Sequence, residues 1–132
     1  MTIDDDALVE AAKAVRARAH APYSGYHVGS AVLDEKGRTH CGCNVENAAY
    51  PEGICAETSA IAAMVAAGGT RIVAIAAVGG RQGLEACTPC GGCRQRILEF
   101  SDRNTRIILL DDKGQPRRYT IDELLPASFR LS

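Results

Sequence analysis

The chain has 132 residues, 46 % of them hydrophobic, and sets 15 Lys and Arg against 16 Asp and Glu for a formal net charge of −1. That length suits a single domain, residues 1–132, with a real core, and is too short for two. The balanced charge, without a basic cluster, argues against a partner such as long nucleic acid, and no apolar run reaches the length of a membrane span.

Residues 4–19 read as a helix: Leu8, Ala12, Val15 and Ala19 share one face, Asp4, Asp5 and Asp6 sit at the positive end, and Pro22 closes it. This stretch mixes acids and arginines and lacks the basic-then-apolar layout of a secretion signal. The six cysteines are therefore expected as reduced thiols in a cytoplasm. Residues 28–33 and 38–45, joined by Asp34-Glu35-Lys36-Gly37, predict a β-hairpin. A loop over 47–54 leads to an alanine-rich helix over 56–67 that stops at Gly68-Gly69.

The apolar run 72–78 suits a strand covered on both faces. A loop over 79–85, a helix over 90–100, strands over 105–110 and 117–120, and a capping box from Thr120 to Glu123 complete the chain. A hairpin followed by β/α units predicts an α/β fold, a mixed sheet with helices on it.

Chemistry concentrates in two strings, Cys55-Ala56-Glu57 and Pro89-Cys90-Gly91-Gly92-Cys93. Cys55, Cys90 and Cys93 offer Zn²⁺ three soft ligands and leave a fourth tetrahedral position for water. Glu57, two residues from the first ligand and not itself a ligand, is placed to move protons for that water. The same layout of ligands and acid marks zinc nucleobase deaminases. Helix starts at Cys55 and Cys90 would set amide hydrogens against the charge of three thiolates. A structural zinc closed by Cys87 as fourth ligand is the rival, and there Glu57 has no purpose. Asn44 and Glu46 fall on one face of an extended strand, where an amide and a carboxylate can grip a sugar hydroxyl; a turn at Asn44 with a solvated Glu46 is the alternative. His20, His27 and His40 show no ligand spacing.

Those two strings stand with Pro22-Tyr23-Ser24-Gly25-Tyr26, Val28-Gly29-Ser30-Ala31, Asn44-Val45-Glu46-Asn47-Ala48, Arg94-Gln95 and Leu124-Leu125-Pro126. In that order they resemble the small, three-cysteine cytidine deaminases over nearly the whole chain. The resemblance implies a three-layer α/β/α sandwich around a five-stranded mixed sheet, one zinc per chain, a homotetramer, and a cytoplasmic enzyme of pyrimidine salvage. The implied reaction is hydrolytic deamination of cytidine and deoxycytidine. An aminohydrolase of a cytosine-nucleoside antibiotic such as blasticidin S is the nearest other reading.

By the same resemblance, Asn44 and Glu46 bind the ribose 3′-hydroxyl, Ala56 contacts substrate, and Tyr26, where relatives usually have Phe, lines the base pocket. Phe129 resembles an aromatic residue that reaches into a neighbouring subunit, with packing in its own core as the alternative. Thr58 departs from the pattern, because many relatives place an Arg there to offset the thiolate charge. Helix ends and a cation from elsewhere are expected to compensate, with Arg94 the nearest candidate in sequence.

Overall fold

Asp4 starts the first helix by accepting the Ala7 N–H at 2.7 Å, and the computed structural model, which describes residues 4–131, runs it as α1 (Asp5–Arg16). The helix stops three residues short of the sequence expectation. Arg18 and Ala19 N–H groups bond carbonyls three residues back, and Arg16 turns its guanidinium onto the carbonyls of His27 and Gly80. That tightened end ties the helix to the sheet.

The remaining elements are β1 (His27–Asp34), β2 (Thr39–Cys43), a 3₁₀ turn (Tyr50–Glu52), α2 (Ala56–Ala66), β3 (Ile72–Gly80), α3 (Gly91–Glu99), β4 (Arg106–Leu110), β5 (Pro116–Tyr119) and α4 (Ile121–Leu124). The five strands lie in the order β2-β1-β3-β4-β5, with β3 and β4 parallel and the other neighbours antiparallel. The capping box at Thr120 and Glu123 is formed.

Alternation along β3 explains its unbroken apolar run. Ile75 and Ala77 pack on one face with Ile61 and Met64 of α2 and Ile97 of α3, while Ala74, Ala76 and Val78 meet Leu8 and Ala12 of α1 on the other. The sheet is therefore the middle layer of an α/β/α sandwich.

Two glycines let the helices close onto the hairpin. A Cβ at Gly29 would lie 2.1 Å from the Ala12 carbonyl oxygen of α1, and one at Gly42 would lie 2.3 Å from the Ala60 nitrogen of α2. The hairpin turn is organised by buried Asp34, whose carboxylate accepts from the Lys36 and Arg38 backbone, the Arg38 guanidinium and the His40 ring.

Strand β2 ends at Cys43, two residues earlier than expected. Val45 instead pairs with Ile54 on one side and His20 on the other, folding the 47–54 segment back beside the start of α2. The N-termini of α2 and α3 then lie side by side.

Candidate metal centre and substrate cavity

Cys55 is the N-cap of α2 and Cys90 the N-cap of α3, both with extended backbone. Cys93 follows in the first turn of α3, and its N–H points at the Cys90 sulfur at 3.5 Å. The three sulfurs lie within 4.8 Å of one another, with Cys55 and Cys90 separated by 3.9 Å. A tetrahedral zinc with bonds of ~2.3 Å sets its sulfurs roughly 3.8 Å apart, so the donor set fits that ion. Among the described residues this is the one cluster able to hold a metal, and Cys87 is outside it.

As free thiols the sulfurs already share protons. Hydrogen bonding with Cys93 lowers Cys55, and the same contact, reinforced by burial, pushes Cys93 up. Thr58 places its hydroxyl oxygen 3.7 Å from the Cys93 sulfur. Arg94 does not supply the expected cation. Its Nε donates to the Pro89 carbonyl at 2.8 Å and its Nη1 to the Leu124 carbonyl at 2.7 Å, so its donors fix the turn into α3 and the end of α4.

Cys55 and Cys90 border a cavity of about 330 Å³. Glu57 lines it while only 4 % exposed, and burial pushes its carboxyl above the usual carboxylate range, with its own backbone N–H offsetting part of that. Ala56, also on the wall, is fully buried at the first position of α2, where backbone N–H groups lack helical partners.

Asn44 and Glu46 both reach the cavity, by a route other than strand alternation. The Asn44 side chain straps β1, donating to the Tyr26 carbonyl at 2.8 Å and accepting the Val28 N–H at 2.8 Å. Glu46 accepts from the backbone N–H groups of Tyr23 and Ser24 and from the Ser24 hydroxyl. Each is held in place and keeps spare capacity, one donor and one acceptor site on Asn44 and one acceptor site on Glu46.

Tyr26 forms part of the wall, with Arg81 5.7 Å over its ring. Its neighbour on the cavity wall is Cys87. Burial first, then hydrogen bonding with that thiol, raises the Tyr26 hydroxyl well above its ordinary value. The two side chains converge on Gly79, where a Cβ would lie 3.0 Å from the ring and 3.1 Å from the sulfur.

Phe129 is not brought to this cavity, and it is not packed in the core of its own chain. It is 69 % exposed, beside Gln95 and Leu98. Sequence reasoning missed Tyr50, Ile54 and Thr88, which also line the cavity. Only the folding back of 47–54 through the Val45–Ile54 pairing brings the first two there, and a loop carries no periodicity that would mark them.

The family pattern described as "Cytidine and deoxycytidylate deaminase zinc-binding region" matches residues 2–109. The chain is 38 % identical over 127 residues to a cytidine deaminase of Sporosarcina psychrophila, covering 96 % of this chain and 92 % of the relative. It is 41 % identical over 115 residues to one of Mycobacterium tuberculosis, covering 87 % and 81 %. Its fold superposes on the crystal structure of cytidine deaminase from Burkholderia pseudomallei with a TM-score of 0.87 and 40 % identity, covering 96 % of this chain and all of the other. With most of its length matched and three cysteine sulfurs converging at two helix starts, this chain belongs to the cytidine and deoxycytidylate deaminase family of zinc-binding proteins.

Proposed function

We propose that this protein is a zinc-dependent aminohydrolase that converts cytidine and deoxycytidine to uridine and deoxyuridine, releasing ammonia. The carrying observation is the buried carboxyl of Glu57 on the wall of a cavity bordered by the Cys55 and Cys90 sulfurs. Cys55, Cys90 and Cys93 would hold the zinc, whose Lewis acidity would ready a water near neutral pH. Glu57 takes a proton from that water and delivers it to ring nitrogen 3 as carbon 4 of the cytosine is attacked. It then takes the remaining proton from the hydroxyl now on carbon 4 and hands it to the exocyclic amino group; the C=O bond forms as the C–N bond breaks, and ammonia leaves. A raised carboxyl pKa suits a group that must both accept and give.

Asn44 and Glu46 take the ribose hydroxyls with the partners their scaffold bonds leave free. Tyr26 and Ile54 supply an apolar wall for the pyrimidine. A grip on the sugar leaves no room for a chain continuing from it, in keeping with a net charge of −1 and a free nucleoside as substrate. The chain works as one domain, in the cytoplasm, in pyrimidine salvage. A homotetramer is supported by Tyr50, Val65 and Phe129, apolar side chains 76 %, 48 % and 69 % exposed on the single chain. Phe129 then meets substrate or cavity wall only across a subunit boundary. Among the described residues no helix is long and apolar enough to cross a membrane.

Ammonia release from cytidine and deoxycytidine by the zinc-loaded protein is the deciding assay. Stoichiometric zinc with no release from either nucleoside sinks the proposal.

A further inference from the structure

Three thiolates around one divalent cation leave a net charge near −1, and Thr58 contributes a hydroxyl where a full positive charge would balance it. Arg94 is committed to two carbonyls. Arg96 is different. It takes part in none of the ion pairs among the described residues. It lines the groove between α2 and α3 together with Thr58.

A helical side chain leans toward the N-terminus of its helix, over the residue four positions back. For Arg96 that residue is Gly92. A Cβ there would lie 3.1 Å from Arg96 Nη1 and 4.0 Å from the Cys90 sulfur. The guanidinium, on the exposed rim of the groove, and the Cys90 sulfur therefore lie within about 7 Å of each other, with no direct hydrogen bond between them. The bare backbone of Gly92 is what lets the guanidinium lie there.

We infer that Arg96 is the counter-cation of the zinc centre, a positioning residue that reaches back along α3 to offset the thiolate charge that Thr58 leaves uncompensated. The inference rests on the zinc reading of the three cysteines. It requires positive charge in the α2–α3 groove, from either helix, and no hydrogen bond of fixed geometry. Glu99, on the same groove, is the group that competes for the guanidinium.

The test compares zinc affinity, by chelator competition on the full chain, in wild type, Arg96→Gln, Arg96→Lys and the double variant Thr58→Arg/Arg96→Gln. Arg96→Gln is expected to weaken zinc binding roughly tenfold. Arg96→Lys should stay within about threefold of wild type, since a point charge suffices. Thr58→Arg should restore most of the loss by returning a cation from α2, an effect that a merely structural role for Arg96 would not produce. Equal affinity in wild type and Arg96→Gln overturns the inference, as does a loss that neither Lys nor the relocated Arg repairs. Should Arg96→Gln fail to fold, Arg96→Glu takes its place: binding weaker than wild type is expected, and equal or tighter binding overturns the inference. The readout is separate from turnover. A protein that binds zinc in this pattern but deaminates nothing retains the counter-cation and loses the proposed reaction.

Discussion

Cys55 and Cys90 cap two different helices, and their sulfurs stand 3.9 Å apart. Neither residue is a usual N-cap, since a thiol is a weak acceptor compared with Ser, Thr, Asp or Asn. What fits them to the position is charge: as thiolates bound to a metal, both lie at the positive ends of helix dipoles.

Ligand identity is tested by serine exchange. Cys87→Ser should keep one zinc per chain, whereas Cys55→Ser, Cys90→Ser or Cys93→Ser should each lose most of it. Metal content after gel filtration reads the outcome. Loss of zinc in Cys87→Ser would restore the four-thiolate site.

Glu57→Gln removes the proton carrier while keeping shape. Turnover of cytidine should fall by about 10²–10⁴-fold with zinc content unchanged. A variant that keeps its zinc and most of its rate would rule Glu57 out as the acid–base group.

Asp34 makes the hairpin turn sensitive to acid. Burial pushes its carboxyl up, but hydrogen bonds from His40, from the Arg38 and Lys36 backbone and from the Arg38 guanidinium outweigh that and hold it well below its ordinary value. The fold therefore prefers the ionised form. This stabilisation is full above the unfolded pKa of ~3.9 and is lost as pH falls through the lower folded value. Asp34→Asn should lower stability by about 1–3 kcal/mol at neutral pH. It should also flatten the decline below about pH 4 in denaturant titrations. An unchanged acid limb would assign that decline to other carboxylates.

Gly29→Ala tests the α1–sheet contact. The new methyl would meet the Ala12 carbonyl at 2.1 Å, which only a shift of the helix can relieve. A loss of about 3 kcal/mol is expected, visible as a fall in Tm of roughly 10 °C. Gly37→Ala meets no such obstacle: its position is open but left-handed, at φ 78°, and the change should be milder, about 1 kcal/mol.

Much of this architecture is legible in the residues themselves. Period and punctuation locate every strand and helix to within a few positions, because β3 is apolar throughout and Gly68, Gly37 and Pro22 mark stops and turns. The zinc ligands are legible because a C-x-x-C spacing at a helix start constrains two sulfurs locally. The substrate side is harder to read. Asn44 lies beyond the end of β2, held by a side-chain strap to β1, so alternation gives the right neighbourhood for the wrong reason. Arg94 and Arg96 look interchangeable in sequence, yet two residues on a helix differ by about 200° in direction, and one faces backbone carbonyls while the other lies over Gly92. Tyr26 and Cys87 meet at Gly79 from distant parts of the sequence, and their proximity carries no local signal at all.

The position of the ligands also bears on folding. Cys55 and Cys90 are 35 residues apart in sequence, and the segment between them contains all of α2 and β3. Bridging them with a metal closes that loop as a cross-link does, removing from the unfolded chain an entropy worth about 3–4 kcal/mol in the chain-closure picture. The ion is thus a clasp across the sandwich as well as a reagent. Chelation should loosen the seam between α2 and α3 first, seen as faster amide exchange at the start of α3, while α1 on the opposite face of the sheet keeps its protection.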